Sequence, residues 1–144
     1  MVTIQRVMTV GRPVETVFAY LADFENTNEW DPGTVRTTRL DGGGGVGTTY
    51  RNISRFGGRK TELIYTVEEL SVPEQLRFRG ENKTVTARDT ITLRPAGPGE
   101  TELTYLAEFE FHGVARLVVP LLGRQFAKLG DDAERRLREV LGKL

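Results

Sequence analysis

Residues 13–32, PVETVFAYLADFENTNEWDP, constrain the fold of this chain most, because they place a helix between stretches that have the pattern of strands. The apolar residues of this segment recur at the spacing of one helix face: Val14, Val17, Phe18 and Leu21. This spacing predicts a helix over residues 13–23 with one buried side, and Pro13 suits its first turn. A strand is predicted before the helix, over residues 2–11, and the only tryptophan, Trp30, follows it ahead of a Pro-Gly turn.

Most of the chain after this helix alternates between apolar and polar residues, which predicts strands with one covered and one wet face. These strands are predicted at about 34–41, 47–56 and 60–70, in a short run with Leu76 and Phe78, at 84–94 and over 103–111. Over residues 114–141 the period becomes that of a helix, although Pro120 allows only an early turn or a kink there. One antiparallel sheet packed on one long helix is the economical arrangement, so the chain is predicted to be α+β.

The beginning of the chain resembles the polyketide cyclase/dehydrase and lipid-transport families of the SRPBCC superfamily, relatives of the START and birch-pollen-allergen proteins. The matching residues are Pro13, Val17, Leu21, Asp23, Phe24 and Trp30-Asp31-Pro32, and the order of the predicted elements fits over essentially the whole chain. The resemblance implies a helix-grip fold, with a seven-stranded antiparallel sheet wrapped around a long C-terminal helix and two short helices after the first strand. It also implies one START-like ligand-binding domain over residues 1–144, with a cavity in which only some members do chemistry.

Composition argues against several other classes of protein. Twenty basic and twenty acidic residues are interspersed, so no long-range field favours nucleic acid. Without cysteine and with one histidine, His112, a zinc site of His or Cys ligands cannot be assembled, and we expect neither metal nor cofactor. The glycines at 42–45 lack the Lys-Ser/Thr and the helix of a phosphate loop. No membrane span or signal peptide is evident, so we expect a cytoplasmic protein. We expect it to be a monomer or a homodimer.

Asp89 is the weak candidate for a catalytic group, because its neighbours on the same strand face are apolar. A carboxylate there is unfavourable unless it is paired, hydrogen-bonded or lining a wet cavity. Burial would raise its pKa and make it a candidate acid or base. The alternative is a structural bond to a partner such as Tyr105 or an arginine. His112, on the polar side of the last strand, is predicted to be solvated.

The predicted interior is largely apolar with a few polar groups, which is typical of ligand pockets. Ser54 is predicted to join the polar groups of this interior. The candidate ligand contacts are Trp30, Tyr50, Asn52, Leu63, Tyr65, Phe78, Asp89, Tyr105, Phe109, Leu122, Gln125 and Phe126. A filled core with a satisfied polar network is the alternative to a cavity.

Three functions follow as hypotheses. The first is binding or transport of a small hydrophobic molecule such as a lipid, an isoprenoid or a polyketide. The second is a polyketide cyclase or dehydratase-like enzyme, in which Asp89 with Tyr65 or Tyr105 would transfer protons. The third is a protein-interaction module, for which the sequence shows no basic or aromatic surface stripe. The resemblance leaves the choice open, because a fold does not fix a function.

Overall fold

Seven antiparallel strands form one sheet in the computed structural model, which describes residues 1–144. The strands are β1 (Val2–Val10), β2 (Thr34–Asp41), β3 (Thr49–Phe56), β4 (Arg59–Ser71), β5 (Gln75–Glu81), β6 (Val85–Gly97) and β7 (Glu100–Phe111). Their order in the sheet is β1-β7-β6-β5-β4-β3-β2, so every neighbouring pair except β1 and β7 is consecutive in sequence. This sheet confirms the predicted antiparallel arrangement.

Four α-helices accompany the sheet, namely α1 (Val14–Ala22), α2 (Thr27–Trp30), α3 (Ala115–Val118) and α4 (Gly123–Leu141). A 3₁₀ turn over Phe24–Asn26 precedes α2, and another over Val119–Leu122 joins α3 to α4. The α+β helix-grip fold is therefore confirmed, with short helices after β1 and a long helix at the C-terminus. None of the helices combines the length and the apolar character needed to cross a bilayer.

The segment that leads from α1 to β2 is held by two aspartates. The carboxylate of Asp23 accepts a hydrogen bond from the backbone N–H of Glu25 at 3.0 Å and starts the first 3₁₀ turn. The carboxylate of Asp31 accepts bonds from the Gly33 N–H at 3.1 Å and from the Thr34 hydroxyl at 2.8 Å. These bonds stabilise the Pro-Gly turn, since aspartate readily bonds backbone groups two residues ahead.

The C-terminal helix begins later than the sequence predicts. The helix is interrupted at Pro120, as the proline predicts, because this residue lies in a 3₁₀ turn, and α4 begins only at Gly123. Neither α3 nor this turn has a fully buried side chain, and Leu117 and Leu121 are exposed. The buried stripe of the helix therefore begins at Phe126 and continues through Ala133, Leu137 and Leu141.

Helix α4 lies very close to β1. A Cβ atom added to Gly130 would lie 2.7 Å from the Ile4 side chain and 2.7 Å from the guanidinium of Arg6, so glycine is required for this approach. Arg6 interrupts the apolar side of β1 because its side chain contacts α4 at this close approach. Its guanidinium forms a salt bridge with Asp131 at 2.9 Å and donates to the Ala127 carbonyl at 3.2 Å. This contact fixes the helix across the inner face of the sheet.

Candidate ligand cavity

A cavity of about 120 Å³ lies between the inner face of the sheet and α4. Six aromatic side chains line it, namely Phe56, Tyr65, Tyr105, Phe109, Phe111 and Phe126. The polar side chains at its wall include Asp31, Ser54 and Asp89. Arg55, which is exposed, and the half-buried Thr61 mark its mouth beside the β3–β4 hairpin.

Strand register explains why this space exists. Tyr65 on β4 pairs with Gly80 on β5, and Gly80 pairs with Ala87 on β6. A Cβ atom at Gly80 would lie 2.6 Å from the Tyr65 ring, so the ring covers the bare backbone of β5. Asp89, two residues after Ala87, lies between Phe78 and Ala107 on the neighbouring strands. The small residues at 80 and 87 therefore leave room beside Asp89.

Asp89 has no hydrogen-bond partner and no salt bridge, although only 7% of its surface is exposed. The hydroxyls of Tyr65 and Tyr105 also lack protein partners, and both residues line the same cavity. The structural bond from Asp89 to Tyr105 or an arginine, the alternative considered from the sequence, is absent. Buried residues usually have their polar groups hydrogen-bonded, whereas the polar groups of these three residues border the open space of one cavity without a protein partner, which indicates a binding site.

The electrostatics of the cavity centre on its two carboxyl groups. Burial, and after it the negative charge of Asp31, together raise the pKa of Asp89 to about 8. Burial also raises the pKa of Asp31, although its bonds to Thr34 and Gly33 oppose this shift. Burial followed by the charge of Asp89 raises the pKa of both Tyr65 and Tyr105 well above 10.0. At neutral pH, Asp89 is therefore mostly a neutral acid that can donate a hydrogen bond.

The sequence profile of the family described as "Polyketide cyclase / dehydrase and lipid transport" matches residues 1–142. The chain belongs to this family. No functionally curated protein shows a significant sequence match to the chain. The assignment confirms the resemblance.

Three solved structures illustrate how widely the fold of this family is shared. A Thermus thermophilus protein is similar at a TM-score of 0.80 and 16% identity, with 97% of each chain covered. A START superfamily protein from Mycobacterium smegmatis is similar at 0.71 and 18%, over 98% of this chain and 94% of that one. The Zhui aromatase/cyclase from a Streptomyces species is similar at 0.70 and 16%, over 96% and 97%. At these identities the likeness shows the fold alone.

Half of the residues that the sequence predicts to contact a ligand line the cavity. These are Leu63, Tyr65, Asp89, Tyr105, Phe109 and Phe126, and Ser54 joins them. All of these residues lie on the inward face of a strand or of α4. Contact with a ligand itself stays a prediction for all of them.

Four further candidates are buried in the core and do not line the cavity, namely Trp30, Tyr50, Asn52 and Phe78. Phe24, from the 3₁₀ turn, covers two of them, with ring centroids 5.6 Å from Tyr50 and 4.6 Å from Phe78. Trp30 packs its edge on Tyr105 at 5.6 Å and so supports the cavity from behind.

Asn52 belongs to a satisfied polar network in the core. Its amide nitrogen donates to the Thr37 hydroxyl at 2.8 Å and to the Thr34 hydroxyl at 3.0 Å, and its carbonyl accepts from Ser54. Both amide hydrogens and the carbonyl oxygen of Asn52 therefore have partners within the core. The filled core considered as an alternative is correct for this part of the interior.

Gln125 and Leu122 lie outside the cavity, contrary to the prediction. Gln125 is exposed, and Leu122 is half-buried at the edge of the core without lining the cavity. The prediction assumed one unbroken helical period through this region. The 3₁₀ turn over Val119–Leu122 changes the phase before α4 begins, so Gln125 faces outward while Phe126 faces inward.

Asp31 lines the cavity but was not among the predicted ligand contacts. It contributed to the family resemblance but was assigned no role, because a carboxylate in an Asp-Pro-Gly turn usually serves the turn alone. Its side chain stabilises the turn and also lines the cavity. Val85 and Phe111 were missed as well, although each lies an even number of residues from a predicted contact on its own strand.

A larger groove of about 990 Å³ lies outside the cavity, between the start of β1, the end of β7 and the α3–α4 region. It contains His112, whose imidazole Nε2 is 3.0 Å from the Thr86 hydroxyl. His112 is half-buried and partnered, not fully solvated as predicted. The groove has no unpartnered buried polar group, so the smaller cavity is the better candidate site.

Proposed function

We propose that this protein binds a small, largely apolar molecule in the cavity beneath α4 and holds its polar group with Asp89, Tyr65 and Tyr105. The observation that carries this proposal is the set of three unpartnered polar side chains inside one aromatic cavity. Ligand sites are commonly apolar, with a few polar groups that orient the ligand. Membership of a family that includes lipid transport in its description supports the same function.

The size of the cavity indicates a compact ligand. Its volume of about 120 Å³ is below the roughly 300–1,000 Å³ of most ligand sites. An apolar cavity of roughly 150 Å³ can hold a benzene molecule. This cavity is somewhat smaller but opens at Arg55 and Thr61, so that part of a ligand can extend into the mouth. One aromatic ring with a short substituent therefore suits it better than a long-chain lipid.

Catalysis is the second candidate, and the state of Asp89 favours it. A general acid or base works best with a pKa near the operating pH, and Asp89, with a pKa of about 8, meets this condition. Asp31 supplies a second carboxyl group in the same cavity. A proton transfer of the cyclase or dehydratase kind could use this pair. Binding is required in both cases, so it is tested first.

The binding proposal is tested with benzyl alcohol and a variant that fills the cavity. Ala87→Leu extends a side chain into the space beside Asp89, whereas Ala96→Leu adds the same atoms at an exposed position of β6. Saturation-transfer NMR should detect benzyl alcohol on the parent protein and on Ala96→Leu but not on Ala87→Leu. Thermal melting verifies that all three are folded. Equal signals from the two variants would place the ligand elsewhere and refute the proposal.

A further inference from the structure

The charge of the cavity is unbalanced. Two carboxyl groups, from Asp31 and Asp89, line it, and neither forms a salt bridge. Arg55 is the only basic residue at its wall, and this residue is exposed at the mouth. Arg136 lies near enough to Asp31 to oppose the rise of its pKa, but it does not line the cavity. The inner part of the cavity therefore has acidic groups without a matching cation.

The remaining wall also favours positive charge. The faces of aromatic rings carry partial negative charge and attract cations within about 6 Å of the ring centre. Six aromatic residues line this small cavity. Combined with two carboxyl groups, such a wall has the chemistry of sites that recognise ammonium ions.

We infer that the ligand is a small organic cation, an ammonium group on a compact apolar body, with Asp89 as its principal counter-ion and Asp31 as a second. This inference rests on the proposed binding function and gives it a ligand class. The ammonium group binds at Asp89 between the hydroxyls of Tyr65 and Tyr105, and the apolar body lies towards the aromatic rings at the mouth. The carboxyl, hydroxyl and aromatic groups of the cavity then all have a partner.

The protonation of Asp89 in the empty cavity agrees with this ligand class. The titratable groups that face Asp89 are Asp31, Tyr65 and Tyr105, and none of them can supply a positive charge. A proton therefore neutralises Asp89 when no cation is present. A bound ammonium ion takes over that role and favours the ionised carboxylate. The ammonium keeps its own proton, and the proton of Asp89 leaves to the solvent.

Three ring compounds of equal size separate this inference from the proposed function. Benzylamine is a cation at pH 7, benzyl alcohol is neutral and benzoate is an anion, and all three have the same aromatic body. Calorimetric titration should show benzylamine binding at least about tenfold more tightly than benzyl alcohol, a difference of roughly 1.4 kcal/mol, and benzoate not binding. Benzylamine should also release close to one proton at pH 7, measured in two buffers of different ionisation enthalpy, because Asp89 is protonated before it binds.

The variant Asp89→Asn provides the second readout, with the exposed Asp41→Asn as its matched control. We expect Asp89→Asn to lose about tenfold or more in benzylamine affinity and all proton release, while it keeps its affinity for benzyl alcohol. Asp41→Asn should behave as the parent protein does. Equal binding of benzyl alcohol and benzylamine would overturn the cation inference and leave the binding function standing. If none of the three compounds binds, the binding function and the inference both fail.

Discussion

Ionisation of Asp89 should make the folded protein less stable as the pH rises. Burial and the charge of Asp31 together raise the pKa of this group from 3.8 to about 8 in the folded state, so between these values the folded chain binds one more proton than the unfolded chain. Stability then falls with pH by about 1.4 kcal/mol for each unit. The contribution of protonated Asp89 to the free energy of unfolding is fully present below pH 4 and is lost by about pH 8. The loss is on the order of 5 kcal/mol.

The variant Asp89→Asn isolates this effect, because it keeps the shape of the side chain and removes its ionisation. Urea unfolding can be followed by fluorescence of Trp30, which packs on Tyr105 beside the cavity. Since Asp89 has no hydrogen bond to lose, the variant should match the parent within about 1 kcal/mol below pH 4, where the carboxyl is protonated in both the folded and the unfolded chain. Between pH 5 and pH 7 the parent should lose about 2.7 kcal/mol relative to the variant.

The exposed Asp41→Asn serves as the control and should follow the parent at every pH. Parallel stability profiles for Asp89→Asn and the parent would mean that Asp89 is already ionised at pH 5. The electrostatic description of the cavity would then be wrong. A variant that is less stable by several kcal/mol below pH 4 would instead reveal a structural bond to Asp89.

Two further substitutions test the packing that forms the cavity. Gly80→Ala places a Cβ atom against the Tyr65 ring and should cost about 1–3 kcal/mol in urea unfolding, whereas Gly43→Ala, in open space, should change stability by less than about 0.5 kcal/mol. Leu137→Ala removes a fully buried side chain of α4 and should cost about 2–5 kcal/mol. The exposed Leu121→Ala should be nearly neutral, and a large loss there would show that α3 and its 3₁₀ turn contribute to the core.

The fold could be predicted from the sequence because each element has a regular period. The apolar residues of α1 are buried as their spacing predicts, and the inward residues of β6 and β7 follow a strict alternation. The C-terminal helix could not be predicted in the same way. The apolar period in the sequence continues through Pro120, but the backbone over Val119–Leu122 forms a 3₁₀ turn instead. Gln125 was predicted to face inward, and it faces outward because this turn shifts the helical period.

The site could be predicted only in part, because alternation shows which side chains face inward but not what lies opposite them. Tyr50 and Tyr65 both face the interior, yet only Tyr65 lines the cavity. Phe24 packs on both rings, with centroids 5.6 Å from Tyr50 and 4.5 Å from Tyr65, but only Tyr65 also reaches the open region beside Asp89. The position of Phe24 depends on a 3₁₀ turn whose direction no sequence pattern specifies. Asp31 was missed for a related reason, because its turn carries it to the cavity wall.

The weakly packed segment over residues 115–122 has a consequence for the speed of ligand exchange. It has no fully buried side chain, and it leads directly to Phe126, which lines both the outer groove and the cavity. Segments with few buried contacts open at low free-energy cost, so we expect amide hydrogens here to exchange much faster than those of β6 and β7. If this opening moves Phe126 away from the cavity wall, a ligand gains a second route besides the mouth at Arg55 and Thr61. Substitutions at Leu117 or Leu121 should then change the association and dissociation rates of a ligand by the same factor and leave its affinity, which depends on Asp89, unchanged.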